Sequence, residues 1–353
     1  MCGKWKYMKE TDQKIIDAII KKAEIVCPGS LALIGLYGSV ATGDVHEKSD
    51  LDLLILINDA RGQQLADGFI LNDIGIGYDL YCTSWEMLEE DAQCNHAHLS
   101  KLLDSKLVYT KDSSALERLD ALRKKATDIL SSDTRYAKAQ ANFENAKKIY
   151  ADCFLADSIS QIRICAGAVI HFLLDAVMLC HGKYFQKGVK RTFDELALLN
   201  LPFDIEENIM SVVRAETAAA IQNSLTVLMR NVQTCFLVQS KKATPCQDNL
   251  SGTYEEMFSN WRNKMWEAVD RNDLFSSFMN MVSFQHMICE IAESVAIHEW
   301  NIMDQFNPHH INKNAEVFDT TLDKYLETYQ KAGIPPKRFI DVNDFLAKYL
   351  KTE

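Results

Sequence analysis

The stretch Leu31–Leu53 reads LALIGLYGSVATGDVHEKSDLDL. It opens with an apolar run, Leu31 to Tyr37, whose length suits a buried strand, and the run ends at Gly38-Ser39. Residues 40–49 are a polar connection, and a second apolar strand, Leu51 to Ile57, carries Asp50 and Asp52 at its entrance. Alternate residues on an extended chain point the same way, so this spacing predicts two carboxylates side by side.

Working outward, residues 12–26 show helical periodicity, with Ile15, Ile16, Ile19, Ile20 and Ala23 on one face, until Pro28-Gly29 breaks the pattern. Downstream, residues 62–73 suggest a short helix. Gly77 to Cys82 reads as a third strand, with Asp79 inside it and pairing beside the Asp50/Asp52 strand. Glu86, Glu89 and Glu90 suit the start of a helix, where acids favour the dipole. From about residue 113 the character changes to long amphipathic stretches, 113–130, 134–155, 157–181, 205–239, 253–270, 273–304 and 315–331, which read as helices. The expected fold class is α+β, a small mixed-sheet head followed by a large helical body. The expected domains are 1–112, 113–245 and 246–353, with the polar stretch Lys241–Gly252 as the candidate boundary.

Composition bounds the function. The chain has 353 residues, 47% hydrophobic and 25% charged, which fits a globular protein of more than one domain. Its first twenty residues carry too many charges for a signal peptide, and no apolar run approaches the ~20 residues of a membrane span. A cytoplasmic location with no membrane partner is therefore expected. Ten cysteines sit singly, without a C-x-x-C pair, so reduced core thiols are expected rather than disulfides or a zinc knuckle. A net charge of −11 argues against non-specific nucleic-acid binding and suits a small cationic substrate.

Asp50 and Asp52, with Asp79 as a third carboxylate, would repel one another unless hard cations neutralise them. Oxygen ligands of this kind suit Mg2+ shared with substrate phosphates, and two ions are expected. Gly38 lets backbone approach a phosphate closely, and the Ser39 hydroxyl adds a donor.

Gly38-Ser39, a polar spacer, Ser49-Asp50-Leu51-Asp52-Leu53 and Asp79 in a later strand together resemble the signature of the polymerase-beta-type nucleotidyltransferase superfamily, over about the first third of the chain. The resemblance implies Asp50 and Asp52 as metal ligands, Asp79 as a third ligand or general base, and ATP or another NTP as co-substrate. One of Glu86, Glu89 and Glu90 is the base if Asp79 is only a ligand. A second, weaker resemblance links the segment from Arg163 to Arg191, with His181-Gly182-Lys183-Tyr184-Phe185-Gln186-Lys187-Gly188-Val189-Lys190-Arg191, to the helical domains of antibiotic-modifying adenylyltransferases. It implies NMP transfer to a hydroxyl of an aminoglycoside-like molecule, as in antibiotic resistance, with Lys187, Lys190 and Arg191 clamping the triphosphate. Two alternatives accompany this reading, a toxin–antitoxin-type enzyme that AMPylates protein and a non-catalytic nucleotide sensor. Oligomeric state stays open.

Other motifs exclude rivals. Gly38-x-x-x-x-Gly43 lacks the Lys-Ser/Thr of a P-loop, and Gly75-x-Gly77 lacks the third glycine of a dinucleotide fingerprint. Arg163 and His171 are spaced too widely for an R-x4–6-H nuclease site. His96-x-His98 and His309-His310 read as surface histidines without a third ligand. Lys48 either touches phosphate or offsets the acids. Glu290, Glu293 and Glu299 read as an amphipathic face, and Trp261, Trp266, Phe275 and Phe278 as core.

Overall fold

The computed structural model describes residues 8–46, 49–236 and 242–350. Lys48 and Lys241, singled out above, lie outside them. The chain divides into two compact units, Met1–Val238 and Gln239–Glu353.

The first unit runs α1 (Glu10–Val26), β1 (Leu31–Leu36), α2 (Gly38–Thr42), β2 (Leu53–Ile57), β3 (Asp67–Leu71), β4 (Ile76–Leu80), β5 (Cys82–Ser84), α3 (Trp85–Asp91), α4 (Ser100–Leu103) and β6 (Lys106–Thr110). Helices α5 (Ser113–Ser131), α6 (Thr134–Leu155), α7 (Ile159–Cys180), α8 (Thr192–Leu196), α9 (Ile205–Arg214) and α10 (Ala218–Gln233) complete it. A small mixed sheet followed by helices is the α+β arrangement expected from the sequence.

The main sheet has the order β5-β2-β1-β6, with β1 antiparallel to β2 and β6 and with β2 parallel to β5. Every residue of β1 and β2 is buried, and the reason is that both faces are covered. Ile34, Leu36, Leu53, Ile55 and Ile57 pack with α1 residues Ile16, Ile19 and Ala23. Leu33, Leu54 and Leu56 on the opposite face, with Ala32 at an irregularity in the β1–β2 register between Leu31 and Leu33, join a second core that continues through α5, α6, α7, α9 and α10. A continuous apolar run at the sequence level is thus two period-2 faces serving two cores.

The helix expected over residues 62–73 is corrected. Ala60–Leu65 forms a 3-10 turn, and Asp67–Leu71 is extended because it pairs antiparallel with β4, from Asp67↔Leu80 to Leu71↔Ile76. Cross-strand pairing here overrides local helical propensity. The same hairpin separates β4 from β2, whose neighbour is β5, so the strand holding Asp79 does not pair beside Asp50 and Asp52. Strand β6, which has no clear alternation in the sequence, forms the far edge of the sheet against β1.

The stretch 205–239 also divides. Extended backbone at Ala215 ends α9, and Thr217 starts α10, its hydroxyl accepting from the Ala220 N–H at 3.2 Å. Helix α7 corrects the expectation that no apolar run reaches membrane-span length. Its 22 residues are long and apolar enough by length and composition, and half of that window is buried inside the fold, against α6 and α10.

The second unit contains α11 (Gln247–Leu250), α12 (Thr253–Met257), α13 (Asn263–Arg271), α14 (Leu274–Ser294), α15 (Ile311–Lys331) and α16 (Val342–Tyr349). A π-helical turn, Phe258–Arg262, joins α12 to α13, and α14 stops at Ser294 rather than reaching residue 304 because Val295 bridges to Ala243. Its core is Phe284, Phe318, Tyr325 and Tyr329 with neighbouring aliphatics. The aromatic group expected to be core lies further out: Trp261 is half-buried, and Trp266, Phe275 and Phe278 are exposed. Trp266 turns its indole N–H to Asp319 at 3.1 Å, a polar anchor that holds the ring at the surface. Glu290, which faces His286, and Glu293 are exposed as an amphipathic helix surface requires, whereas Glu299 lies beyond the end of α14 and pairs with Lys242.

Candidate active site

Gly38 and Asp52 are built around each other. Gly38 has φ +66°, and a Cβ there would stand 1.9 Å from Asp52 Oδ2. Only glycine accepts both that left-handed backbone and that approach. The Tyr37 N–H donates to the Asp52 carbonyl at 3.1 Å, which fixes the end of β1 to the entrance of β2. The Ser39 N–H in turn donates to the Asp52 carboxylate. The first free amide of α2 is therefore spent on orienting Asp52.

Asp50 is exposed and Asp52 half-buried. Burial, reinforced by the charge of Asp50 and only partly opposed by the Ser39 N–H, raises the Asp52 carboxyl to about 6. Tyr37 feels the same field: burial first, then Asp52, Asp50, Asp79 and Asp91, push its phenol to about 12. Among the described residues no cation forms an ion pair with Asp50 or Asp52.

Both acids open into a cleft of about 310 Å3, lined by Tyr37, Gly38, Ser39, Thr42, Asp44, Ser49, Ser100, Gln186, Lys187, Gly188 and Lys190 besides Asp50 and Asp52 themselves. The far wall is the loop 186–190 that follows α7. Glu195 shapes it by accepting from the backbone N–H groups of Gln186 (2.9 Å) and Lys187 (3.3 Å). Asp44 holds its other end, taking a bidentate pair from Arg191 Nε (3.0 Å) and Nη2 (2.9 Å), while Lys190 Nζ donates to the Asp44 carbonyl at 2.9 Å. The Arg191 guanidinium holds the Asp44 carboxyl down at about 2. Lys187 is exposed, and its ammonium forms no ion pair among the described residues.

The structure thus brings Gly38, Ser39, Asp50, Asp52, Lys187 and Lys190 to one cleft. Arg191 stands behind the wall, occupied by Asp44 and Asp194. Asp79 is exposed on β4 and does not line the cleft, although its charge reaches Tyr37. Glu86, Glu89 and Glu90 belong to α3, and Glu89 pairs with Arg118. The sequence reading missed Asp44, which organises the basic wall from 147 positions away, and Ser100 and Gln186, which line it. An acid directly after the Gly43 that ends α2 was the available signal for Asp44.

Residues 14–127 match the family model of the nucleotidyltransferase domain. That span runs from within α1 through most of α5 and contains Gly38, Ser39, Asp50, Asp52 and Asp79. The head thus carries a nucleotidyltransferase-domain match over residues 14–127, and the polymerase-beta-type resemblance is borne out at that level. Among solved structures the chain is similar to a nucleotidyltransferase-like protein from Exiguobacterium sibiricum, with 14% identity and a TM-score of 0.35, over 80% of this chain and 92% of that one. No curated protein matches the chain. The reading of the site rests on its own residues and on the domain match.

Proposed function

We propose that the protein is a Mg2+-dependent nucleotidyltransferase that moves NMP, with AMP from ATP as the first case, to a hydroxyl of a small cationic acceptor of the aminoglycoside type. The observation that carries this reading is Asp52, a half-buried carboxylate held by the Ser39 N–H beside Asp50, with no described cation paired to either. Such a pair fits divalent cations, because among the described residues no ion pair compensates its charge. Asp50 and Asp52 would hold Mg2+, and Asp79, whose charge is felt at the same Tyr37, is the third acid, as ligand or general base. When bound, Mg2+ supplies charge neutralisation at the phosphate oxygens.

The chain's own groups do the remainder. Lys187 and Lys190 offer charge to the triphosphate from the opposite wall, and Arg191 acts through Asp44 by holding that wall in place. The acceptor oxygen forms a bond to the α-phosphorus, the α–β bridge breaks, pyrophosphate leaves, and the hydroxyl proton passes to a carboxylate. The acidic balance of the chain, −11, supports a cationic acceptor over a nucleic acid.

The test is pyrophosphate release from each of the four NTPs with Mg2+, against a panel of aminoglycosides, lincosamides and other polyhydroxylated amines. Release that requires one acceptor and vanishes in Asp52→Asn is the expected result. Nucleotide binding without release from any acceptor would replace this reading with a sensor or a protein-directed enzyme. Adenylylated protein in a lysate would single out the latter.

A further inference from the structure

Histidines 96 and 98 look isolated in the sequence, but the fold gives His98 two partners. Helix α7 carries His171 and Asp175 four residues apart, on one face. His98 Nε2 lies 3.7 Å from Asp175 Oδ1, and His171 Nε2 lies 3.6 Å from Asp175 Oδ2. One ligand atom from each of the three residues falls within 4.8 Å of the other two. The imidazoles are half-exposed, whereas Asp175 is 1% exposed. A carboxylate that deep requires compensation, and among the described residues no Lys or Arg forms an ion pair with it. Its fixed contact is the Ala97 N–H, which donates to Oδ1 at 2.8 Å.

We propose that His98, His171 and Asp175 form a binding site for a zinc-class divalent cation, different in ligand chemistry from the Asp50/Asp52 cleft and independent of the reading of that cleft. Two imidazoles and one carboxylate suit zinc and its neighbours, whereas magnesium prefers oxygen alone. A tetrahedral ion about 2.1 Å from each ligand separates ligand atoms by roughly 3.4 Å. The two His–Asp separations already lie within a few tenths of an ångström of that value. The His98 and His171 rings, stacked at 5.1 Å between centroids, are exposed enough to turn their nitrogens inward. Three protein ligands leave a fourth position open to solvent.

The site is also a fastening point. Ala97 donates to Asp175 and accepts from the Phe185 N–H at 2.8 Å, and the Phe185 ring stacks on His98 at 5.2 Å. Ser100, two residues beyond His98, and Gln186, next to Phe185, both line the cleft. An ion here ties α7 to both of those segments, so its occupancy stiffens the cleft wall.

The experiment titrates the chelator-treated full-length protein with Zn2+ alone by calorimetry and with Co2+ by visible absorption, in wild type, His171→Gln, His98→Gln and Asp52→Asn. We expect one equivalent of Zn2+ in wild type and in Asp52→Asn, a nitrogen–oxygen cobalt spectrum, and at least tenfold weaker binding in each histidine variant. Zn2+ should raise the melting temperature of wild type and not of His171→Gln, whose melting without metal matches wild type because the ring is half-exposed. Equal Zn2+ affinity in wild type and both histidine variants, no saturable binding, or a cobalt spectrum dominated by thiolate charge transfer would each overturn the proposal.

Discussion

Two aspartates on the same cleft, Asp44 and Asp52, have opposite electrostatic fates. Asp44 meets a bidentate arginine, and its carboxyl is held at about 2. Asp52 is half-buried beside the like-charged Asp50 and accepts from the Ser39 N–H, and its carboxyl is raised to about 6. One acid is held in an ion pair, and the other has no ion pair among the described residues. The contrast separates an architectural carboxylate from the proposed working one more sharply than position in the sequence does.

The largest expected break in that contrast is Asp52→Asn, which keeps the Ser39 hydrogen bond and removes the charge. Loss of supporting partners around a metal ligand already lowers affinity or activity 10–100-fold, so NMP transfer should fall by more than about 100-fold. The same substitution should stabilise the metal-free protein at pH 8. A shift from the ordinary value of 3.8 to about 6 corresponds to at most ~3 kcal/mol, and partial solvent access reduces that to about 1–2 kcal/mol. The sign follows from the raised value: the native state binds the proton more tightly, so Asp52 contributes stability below about pH 4 and loses it as pH rises to 6. The variant's advantage in thermal or urea unfolding should therefore grow between pH 4 and 6 and then level off. Mg2+ should raise the melting temperature of wild type and leave the variant unmoved.

Gly38→Ala comes next. Its Cβ would displace the Asp52 carboxylate and force an L residue into left-handed backbone, at about 1–2 kcal/mol of stability. Turnover should drop nearly as far as in Asp52→Asn, and a wild-type rate in this variant would mean that Asp52 tolerates another position.

Lys187→Ala removes the cation of the far wall that has no described ion pair. A single exposed charge-assisted contact lies at the lower end of about 1.5–3 kcal/mol, so KM for the NTP should rise roughly tenfold with kcat little changed.

The smallest effect belongs to Arg191→Ala, which loosens the wall without touching nucleotide and should raise KM a few-fold. Because Asp44 titrates low in the native state, its pairing stabilises the protein above the ordinary carboxylate value and is lost as pH falls towards 2. The stability difference between Arg191→Ala and wild type should accordingly be present at pH 5 and close in strong acid.

Much of the head was legible because its signals are local. Gly38, Asp50 and Asp52 lie within fifteen residues, and the strands they join are unbroken apolar runs. Helices α5, α6 and α7 were legible from periodicity alone. What failed depended on partners far along the chain. The β3–β4 hairpin arises from pairing that local propensity does not encode; it draws Asp79's strand into a separate two-stranded sheet and leaves the place beside β2 to β5. The His98 cluster needs α7 to be packed before its members meet. The aromatic residues 261–278 misled for the opposite reason, since hydrophobic character alone does not say which ring finds a polar surface anchor such as Asp319.

Leu33, Leu54 and Leu56, on the sheet face away from α1, share one core with Leu173 and Leu225 of the helices. The boundary of the matched domain at residue 127 is therefore no place to cut. A fragment ending there would present a bare leucine surface to water and aggregate, and limited proteolysis should leave the first unit whole or destroy it entirely. For anyone recombining such chains, the sheet and the helices behind it are a single heritable module.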